Sequence, residues 1–350
     1  MVDSKRQYFT GVQALRGFAA LMVVLRHATL TSNKKFGISF LGDYFQFGYT
    51  GVDFFFILSG FVIFYTTTIK NPSFIPYLKS RFVRIFPIYW CTLIPLTFFY
   101  LIFPRYGLDH YRYVSTFLTS FFLFPNSLEP ILGVAWTLKH EVWFYLLFAL
   151  GFYGLSSFKF HFYFLLTLLS LFFYACDLNV VYFDAPYIFK FLFSPFNLEF
   201  LAGCLIASLV LNKTKFLFGK ILFVFSFVAY FVVGYFEAEF SHYFHKSHSI
   251  VIYGPLFFAM LFGVIMWERA SQFEIPKWMI ELGDASYSIY LVHFPLMSLL
   301  SRILISYKLF ESLPLLNIVF ITVFSVIAGW VFYRLVEKPI LIYLRNRLHF

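Results

Sequence analysis

Residues 44–68 read YFQFGYTGVDFFFILSGFVIFYTTT, a stretch of 25 residues in which Asp53 is the one charged side chain. An α-helix rises about 1.5 Å per residue, so a helix of this length spans more than the roughly 30 Å of hydrocarbon in a bilayer. The apolar residues are continuous rather than alternating, which is not the pattern of a transmembrane β-barrel. This stretch therefore predicts a membrane-spanning helix.

Similar runs follow one another along most of the chain. Ten are long enough to cross a membrane, at residues 11–30, 44–68, 80–103, 132–154, 159–176, 194–211, 216–236, 248–267, 283–306 and 313–338. A shorter apolar stretch at 113–125 predicts an interfacial or re-entrant segment. The sequence thus predicts an all-α, polytopic integral membrane protein whose 350 residues form a single transmembrane domain.

The composition supports the membrane assignment. Hydrophobic residues make up 61% of the chain, charged residues 13%, and the mean hydropathy is +0.78. A soluble domain has roughly 25% charged residues, and a soluble chain this apolar would expose large hydrophobic patches. The figures exclude a soluble globular protein, a disordered chain and a disulfide scaffold.

The net charge of +10 is explained by membrane topology rather than by nucleic acid. Of the 27 Lys and Arg residues, Arg16, Arg26 and Lys139 are set aside as lying inside predicted spans, and those near span ends are counted with the adjoining loops. With a cytoplasmic N-terminus and ten crossings, the other 24 divide into 16 on the inner side and 8 on the outer side. Cytoplasmic loops carry the excess of basic residues, so both termini are predicted to be cytoplasmic.

Two charged or titratable residues share one face of the first predicted span. Arg16 and His27 are eleven residues apart, which is three helical turns plus about 20°, and a rise of about 16 Å. Such a pair suits a transfer reaction in which the arginine holds an anionic donor and the imidazole moves a proton. Alternatively, Arg16 extends to the inner interface and His27 lies near the outer one.

Further polar residues occur where lipid offers no partner. Asp53 needs a cation or hydrogen bonds, and the Ser59-Gly60 pair predicts close approach of another helix. Arg81 and Arg84 share a helix face at the predicted cytoplasmic interface. They suit either positive-inside topology or a clamp for phosphate groups.

The fourth predicted span opens Trp136-Thr-Leu-Lys-His-Glu141, with three consecutive ionisable residues at its start. More buried polarity is predicted at Glu199 and in the stretch that contains Tyr287, Tyr290 and His293. No metal site is predicted. The spacing of His242, His245 and His248 does not place them on one helix face, and Cys91, Cys176 and Cys204 are predicted to be packing residues.

Taken in order, these segments resemble the membrane-bound acyltransferase-3 family. The resemblance covers residues 11–339. Its pieces are Gln13-Ala-Leu-Arg16-Gly17 followed by His27; Gly51-Val-Asp53 through Ser59, Gly60 and Phe61; Arg81-Phe-Val-Arg84-Ile-Phe-Pro87; Trp136-Thr-Leu with Glu141 and Tyr145; and Tyr287-Ser-Ile-Tyr290-Leu-Val-His293 with Pro295. Glu199-Phe-Leu-Ala-Gly203 and Glu337-Lys-Pro339 are similar to weaker signatures of the family.

The resemblance implies ten membrane helices and an O-acyltransferase, most often one that moves acetyl from acetyl-CoA onto a sugar hydroxyl. The acceptor would be a surface polysaccharide, a lipid-linked glycan or a related glycoside. Acetyl-CoA would be a co-substrate, with no bound cofactor, and the protein would lie in the inner membrane of a bacterium. Some relatives carry a fused hydrolase-like domain. None is expected here, so a separate partner is one way of completing transfer.

The resemblance also implies roles for individual residues. His27 matches the essential histidine, Glu141 matches the glutamate of the fourth span, and Arg16, Arg81 and Arg84 match residues associated with the acyl donor. Asp53 joins His27 and Glu141 as a candidate catalytic residue. The supporting polar residues would be Ser59, Trp136, Glu199, Tyr287, Tyr290 and His293.

The mechanism this favours is general-base catalysis by His27, with Glu141 or Asp53 orienting the imidazole. An acyl-histidine intermediate is the other route. Two functions from other classes remain open. One is a ten-span secondary transporter, for which charged residues within the membrane are typical. The other is a polyprenol-dependent glycosyltransferase, for which Asp177, Asp184, Glu237 and Glu239 are available in outer loops.

Overall fold

The computed structural model describes residues 8–38, 40–155, 158–240, 249–271, 273–307 and 314–348. The regular elements in these ranges are all helical, and fourteen of them are α-helices. They are α1 (Thr10–Thr31), α2 (Gly51–Lys70), α3 (Phe74–Ile102), α4 (Val114–Phe121), α5 (Trp136–Ala149), α6 (Lys159–Asp177), α7 (Tyr187–Leu192), α8 (Phe196–Leu211), α9 (Gly219–Glu239), α10 (Ser249–Ala270), α11 (Lys277–Asp284), α12 (Ser286–Ser306), α13 (Pro314–Phe332) and α14 (Lys338–Leu348). The histidines at 242, 245 and 248 lie outside the described residues.

Eight helices among the described residues are long and apolar enough to cross a membrane. They correspond to α2, α3, α6, α8 joined to α7, α9, α10, α12, and α13 joined to α14. A helix satisfies its own backbone hydrogen bonds, which is why continuous apolar runs adopt this form in lipid. The structure thus confirms the predicted all-helical, multi-pass character of the chain.

Helices α1 and α5 match predicted spans but are not among the eight. Helix α1 contains Arg16 and Arg26, and the fourteen-residue α5 has three ionisable residues within its first six. The count of ten crossings and the cytoplasmic termini remain predictions. The apolar stretch at 113–125 forms the eight-residue α4, which at about 12 Å is too short to cross.

By its contacts the chain divides into two compact units, each made from separate segments. Unit 1 takes its described residues from Met1–Leu15, Val52–Lys79 and His140–Ile280, and unit 2 from Arg16–Gly51, Ser80–Lys139 and Glu281–Phe350.

Unit 1 is held together by close helix crossings at glycine. A Cβ atom on Gly60 of α2 would lie 1.9 Å from the carbonyl oxygen of Phe200 on α8, and one on Gly203 would lie 1.8 Å from that of Ile57. Any side chain at either position would force the helices apart. The close approach predicted from the Ser59-Gly60 pair is therefore confirmed, and α8 is the helix that makes it.

Unit 2 has an apolar core to which α1, α12 and α13 contribute. The core contains Val24, Ala28, Ala285, Ile289, Met297, Leu304, Ile318 and Ile321. Gly329 of α13 packs against Ile289 of α12, where a Cβ atom would lie 2.6 Å from the Ile289 Cα atom. This contact fixes the part of α12 that leads to His293.

Two of the local irregularities in unit 2 lie in α12 and between α13 and α14. Helix α12 contains Pro295, which cannot donate a backbone hydrogen bond and so loosens the turn that holds His293. A five-residue π-helical turn, Tyr333–Glu337, joins α13 to α14. Such turns insert a residue into an otherwise regular helix and occur frequently at functional sites.

Candidate active site

The centre of the candidate site is a pair of histidines from distant parts of the chain. His27 on α1 and His293 on α12 are both in unit 2, with 3.1 Å between His27 Nδ1 and His293 Nε2. Each ring also contacts the carbonyl oxygen of the residue four positions earlier. His27 Nδ1 is 3.0 Å from the Val23 oxygen, and His293 Nδ1 is 3.0 Å from the Ile289 oxygen.

With both rings neutral, these contacts assign one proton to each ring. A carbonyl oxygen only accepts, so His293 Nδ1–H must donate to Ile289, and a neutral His293 then has a lone pair on Nε2. His27 Nδ1–H donates to that lone pair and to the Val23 oxygen. The arrangement leaves His27 Nε2 without a proton, which is the state a general base requires.

The surroundings of the pair are aromatic. The Phe294 ring lies 4.9 Å from the His27 ring between centroids, and the Tyr290 ring lies 5.9 Å from that of His293. The Tyr290 hydroxyl donates to the Val134 carbonyl oxygen at 3.0 Å and lies 2.9 Å from the Thr137 hydroxyl. Tyr290 therefore anchors α12 beside the start of α5, and His293 is completely buried.

Two substitutions of His293 are expected to distinguish a role in positioning the His27 ring from a role in packing alone. In His293→Leu one of the two acceptors for His27 Nδ1–H is lost. We expect turnover to fall by about tenfold, because a hydrogen bond to a charged group such as the imidazolium is worth about 1.5–3 kcal/mol. In His293→Gln the side-chain amide can still reach His27, and much of the activity should return. The measurement is kcat and KM for both variants at several pH values.

A purely structural role for His293 gives a different pattern. Both variants would then lose activity in proportion to the amount of folded protein, with an unchanged pH profile. That outcome would remove His293 from the site.

A second cluster in unit 2 is built around a buried glutamate. Glu337, whose side chain is 1% exposed, accepts hydrogen bonds from Arg84 at 2.8 Å and from the Ser288 hydroxyl at 2.6 Å. The Arg84 guanidinium also lies over the Tyr287 ring at 5.1 Å, and the Tyr287 hydroxyl donates to the Ile85 carbonyl oxygen. Arg84 therefore neutralises a buried carboxylate, a structural task that the sequence did not reveal.

Arg16 belongs to the same neighbourhood. Gly17, next to it on α1, packs against Gly283 at the end of α11. The adjacent Asp284 has a raised pKa because burial disfavours its charge, and Arg16 and Arg84 both oppose that rise. Arg16 and Arg84 thus both act on the carboxyl group of Asp284. Arg16 itself lies about three helical turns along α1 from His27.

Arg81 lies one turn before Arg84 on α3. Its Nε donates to the Ser80 hydroxyl at 3.2 Å, whereas Arg84 is joined to Glu337. The two arginines predicted as a pair therefore differ in these contacts: Arg84 meets a buried carboxylate, and Arg81 meets a neutral hydroxyl.

The remaining predicted carboxylates are in unit 1. Asp53 on α2 accepts a hydrogen bond from Ser249, and its charge acts on Glu199 of α8. Glu141 on α5 accepts a hydrogen bond from the Tyr145 hydroxyl at 2.5 Å. Glu141 or Asp53 was predicted to orient the imidazole of His27. The contacts found at His27 Nδ1 are those with His293 and the Val23 oxygen, so the role of Glu141 and Asp53 toward His27 remains a prediction.

The other supporting residues divide between the units. Ser59 precedes Gly60 on α2 in unit 1, and Trp136 is the first residue of α5 in unit 2. The sequence did not single out Phe294, Ser288 or Asp284. Phe294 follows His293, Ser288 follows Tyr287, and Asp284 lies at the start of the predicted span 283–306. These positions are the sequence signal by which the three residues could have been identified. Among the described residues, no group of three His, Cys, Asp or Glu side chains could hold a metal ion.

Comparison with known proteins places this arrangement in context. The model of the acyltransferase-3 family, described as "Acyltransferase domain", matches residues 9–334. "Exopolysaccharide production protein ExoZ" of Rhizobium meliloti (strain 1021) is 28% identical over 264 residues, covering 72% of this chain and 77% of that protein. "Protein 2 in picA locus" of Rhizobium radiobacter is 38% identical over 96 residues, covering 25% of this chain and 44% of that protein. No solved structure matches significantly.

Proposed function

Because the chain belongs to the acyltransferase-3 family, we propose that it moves an acetyl group from acetyl-CoA onto a sugar hydroxyl of a surface polysaccharide or lipid-linked glycan. The chain is a multi-pass membrane acyltransferase. The acetyl donor and the acceptor are the proposal, and the exopolysaccharide relative supports a polysaccharide acceptor. That relative is bacterial, which supports a place in the inner membrane of a bacterium.

The observation that carries the proposal is the pair of contacts at His27 Nδ1, to the Val23 oxygen and to His293, which in a neutral ring leave Nε2 as the basic nitrogen. A sugar hydroxyl gives its proton to this nitrogen while its oxygen attacks the thioester carbonyl carbon. The carbon–sulfur bond then breaks, and the departing thiolate takes the proton back from the imidazolium to become the free thiol. Protons and electron pairs balance, and the products are the O-acetylated sugar and coenzyme A.

His293 supports this reaction by its contact with His27. When Nε2 takes up the proton, the Nδ1–H of His27 becomes a stronger donor to the His293 lone pair and to the Val23 oxygen. The two acceptors stabilise the imidazolium without moving. An acyl-histidine route would use the same Nε2 atom as nucleophile.

The arginines are proposed to hold the donor. Coenzyme A carries phosphate groups, which arginine binds through paired N–H donors. Arg16 lies about 16 Å from His27 along α1, so phosphates held near Arg16 and Arg81 require the thioester arm to extend along that helix. Asp53 and Glu141 remain candidates for support of the reaction from unit 1.

The direct test is release of free coenzyme A by purified protein in the presence of acetyl-CoA and a glycan acceptor. We expect thiol release that depends on the acceptor, and an equal amount of esterified acetyl on the glycan. A secondary transporter gives neither product. A polyprenol-dependent glycosyltransferase consumes its lipid-linked sugar with acetyl-CoA untouched.

Arg81→Ala is expected to weaken donor binding without unfolding the protein. The substitution removes a guanidinium that donates to the neutral hydroxyl of Ser80. Losing that hydrogen bond costs less folding free energy than leaving a buried carboxylate without its cation, as removal of Arg84 would. Lost hydrogen bonds to a charged phosphate are each worth about 1.5–3 kcal/mol, which predicts a rise of at least about tenfold in KM for acetyl-CoA. Steady-state kinetics with Arg81→Lys as the matched control measure this effect.

Unchanged KM for acetyl-CoA in Arg81→Ala would leave membrane topology as the explanation for this arginine. A fall in kcat at constant KM would instead connect Arg81 with the chemical step.

Sidedness follows from the positive-inside count and can be tested by labelling. With Cys91, Cys176 and Cys204 replaced, single cysteines at Ser73 and Ser127 report on the segments after α2 and before α5. An impermeant thiol reagent applied to intact cells should label position 127 and leave position 73 unlabelled until the cells are opened. The opposite pattern would reverse the topology and place the donor arginines outside.

A further inference from the structure

Unit 1 contains two buried carboxyl groups to which no step of the proposed reaction is assigned. Asp53 on α2 is 3% exposed and Glu199 on α8 is 2% exposed. The helices that carry them touch at Gly60 and Gly203, where backbone meets backbone. Asp53 lies one turn before Ile57 at that crossing, and Glu199 one turn before Gly203.

The polar groups that act on these carboxyls include acids and hydroxyls. Ser249 on α10 donates to Asp53, and Glu237 on α9 is the charged group that acts on it. The charge that acts on Glu199 is that of Asp53. The Tyr253 hydroxyl on α10 donates to Glu237 at 2.5 Å. These contacts supply no counter-charge to the pair. A titratable group of α5, His140, packs against Phe56 and Phe196, which lie one turn from Asp53 and Glu199.

Three of the carboxyl oxygens have no hydrogen-bond partner. They are Oδ2 of Asp53 and both Oε atoms of Glu199. In addition, neither acid belongs to an ion pair within the part of the chain that the structure describes. Two buried carboxylates without a counter-ion in one neighbourhood repel each other and each loses its hydration, which costs many kcal/mol unless a proton neutralises the charge.

We propose that Asp53 and Glu199 form a proton-binding site that carries at least one proton at neutral pH. Glu237 connects the site with the aqueous phase. It lies two residues before the last residue of α9 and is only half-buried, so it can exchange protons with water and with Asp53. Chains of acidic residues inside membrane proteins commonly conduct protons in this way.

Infrared spectroscopy of the whole protein in lipid nanodiscs tests the site without reference to acyl transfer. A protonated carboxyl has a C=O stretching band that is separate from carboxylate bands and shifts in D₂O. We expect such a band in the wild-type protein at pH 7 and its loss in Glu199→Gln, which keeps the shape of the side chain. Glu239→Gln, which replaces an exposed acid at the same helix end as Glu237, is the matched control and should keep the band.

The connection through Glu237 is tested by kinetics of the same band. After transfer into D₂O, Glu237→Gln should exchange its C=O band more slowly than wild-type protein, while Glu239→Gln exchanges at the wild-type rate. Equal rates in all three proteins would overturn the connection.

The site itself fails on either of two results. One is the absence of a protonated-carboxyl band at pH 7, especially if sodium ions shift the carboxylate bands, since the pair would then bind a metal cation instead. The other is a band that survives unchanged in both Glu199→Gln and Asp53→Asn. If Asp53→Asn does not fold, the isosteric Glu199→Gln comparison decides alone.

Discussion

Replacement of His27 by alanine is expected to lower the rate of acyl transfer by about 10²- to 10⁴-fold, the range that a positioned general base contributes. The physical reason is the loss of Nε2, the unprotonated nitrogen that the Val23 and His293 contacts present to the hydroxyl. The measurement is acceptor-dependent release of coenzyme A by purified protein, together with the acetyl content of the glycan.

The control for His27→Ala is His161→Ala. His161 is an exposed residue of α6, and its replacement should leave the rate unchanged. Both variants should reach the membrane in wild-type amounts, because an alanine side chain at position 27 leaves the apolar face of α1 intact. Wild-type levels of acetylated glycan from His27→Ala would remove His27 from the mechanism.

Replacement of Arg84 by alanine should affect folding more than any other arginine substitution we propose. It leaves the Glu337 carboxylate buried with the Ser288 hydroxyl and without its cation. Removing one partner of a buried ion pair costs about 3–5 kcal/mol of folding free energy. We therefore expect a much lower midpoint of thermal unfolding for the detergent-solubilised protein.

The chain offers a matched pair for comparison with Arg84→Ala. Arg334 and Glu281 are also an arginine–glutamate pair, at 3.0 Å, but both side chains are roughly half exposed. Breaking an exposed pair costs about 1 kcal/mol or less, so Arg334→Ala should unfold close to the wild-type temperature. Equal midpoints for the two variants would show that the Arg84–Glu337 pair does not stabilise the fold, and would return Arg84 to donor binding alone.

The helical architecture was predictable because its causes are local. Runs of about 20 apolar residues must be helical in lipid, and the structure has helices at all ten predicted positions. Ends of helices were less predictable. The chain enters α2 through a 3₁₀ segment at Phe40–Thr50, where the apolar pattern had predicted one continuous span from residue 44.

The residues of the candidate site were predicted one at a time, without their partners. His27, Arg84 and Asp53 were identified because a charged or titratable group in a membrane needs an explanation. Their partners are far away in the chain: His293 is 266 residues from His27, and Glu337 is 253 residues from Arg84. Periodicity describes one helix at a time, so it contains no information on which helices meet.

His293 shows this limit most clearly. Read by itself, it was an ordinary buried histidine with a hydrogen bond, and it is indeed completely buried and hydrogen-bonded. Its second contact is what changes the interpretation, since that contact gives the Nδ1–H of His27 a second acceptor. The prediction that His293 is buried agrees with the structure, whereas its pairing with His27 could be recognised only from the fold.

The π-helical turn Tyr333–Glu337 has a consequence for how this chain can be compared and altered. Such a turn takes up an extra residue, so the side chains beyond it keep the faces that they would have in a regular helix one residue shorter. Glu337, the last residue of the turn, meets Arg84 and Ser288 in this setting. A regular α-helix of the same number of residues would instead turn the carboxylate about 100° away from them. At this point of the chain, the number of residues and the local winding of the helix therefore change together: a chain one residue shorter here keeps the carboxylate in place only as a regular α-helix.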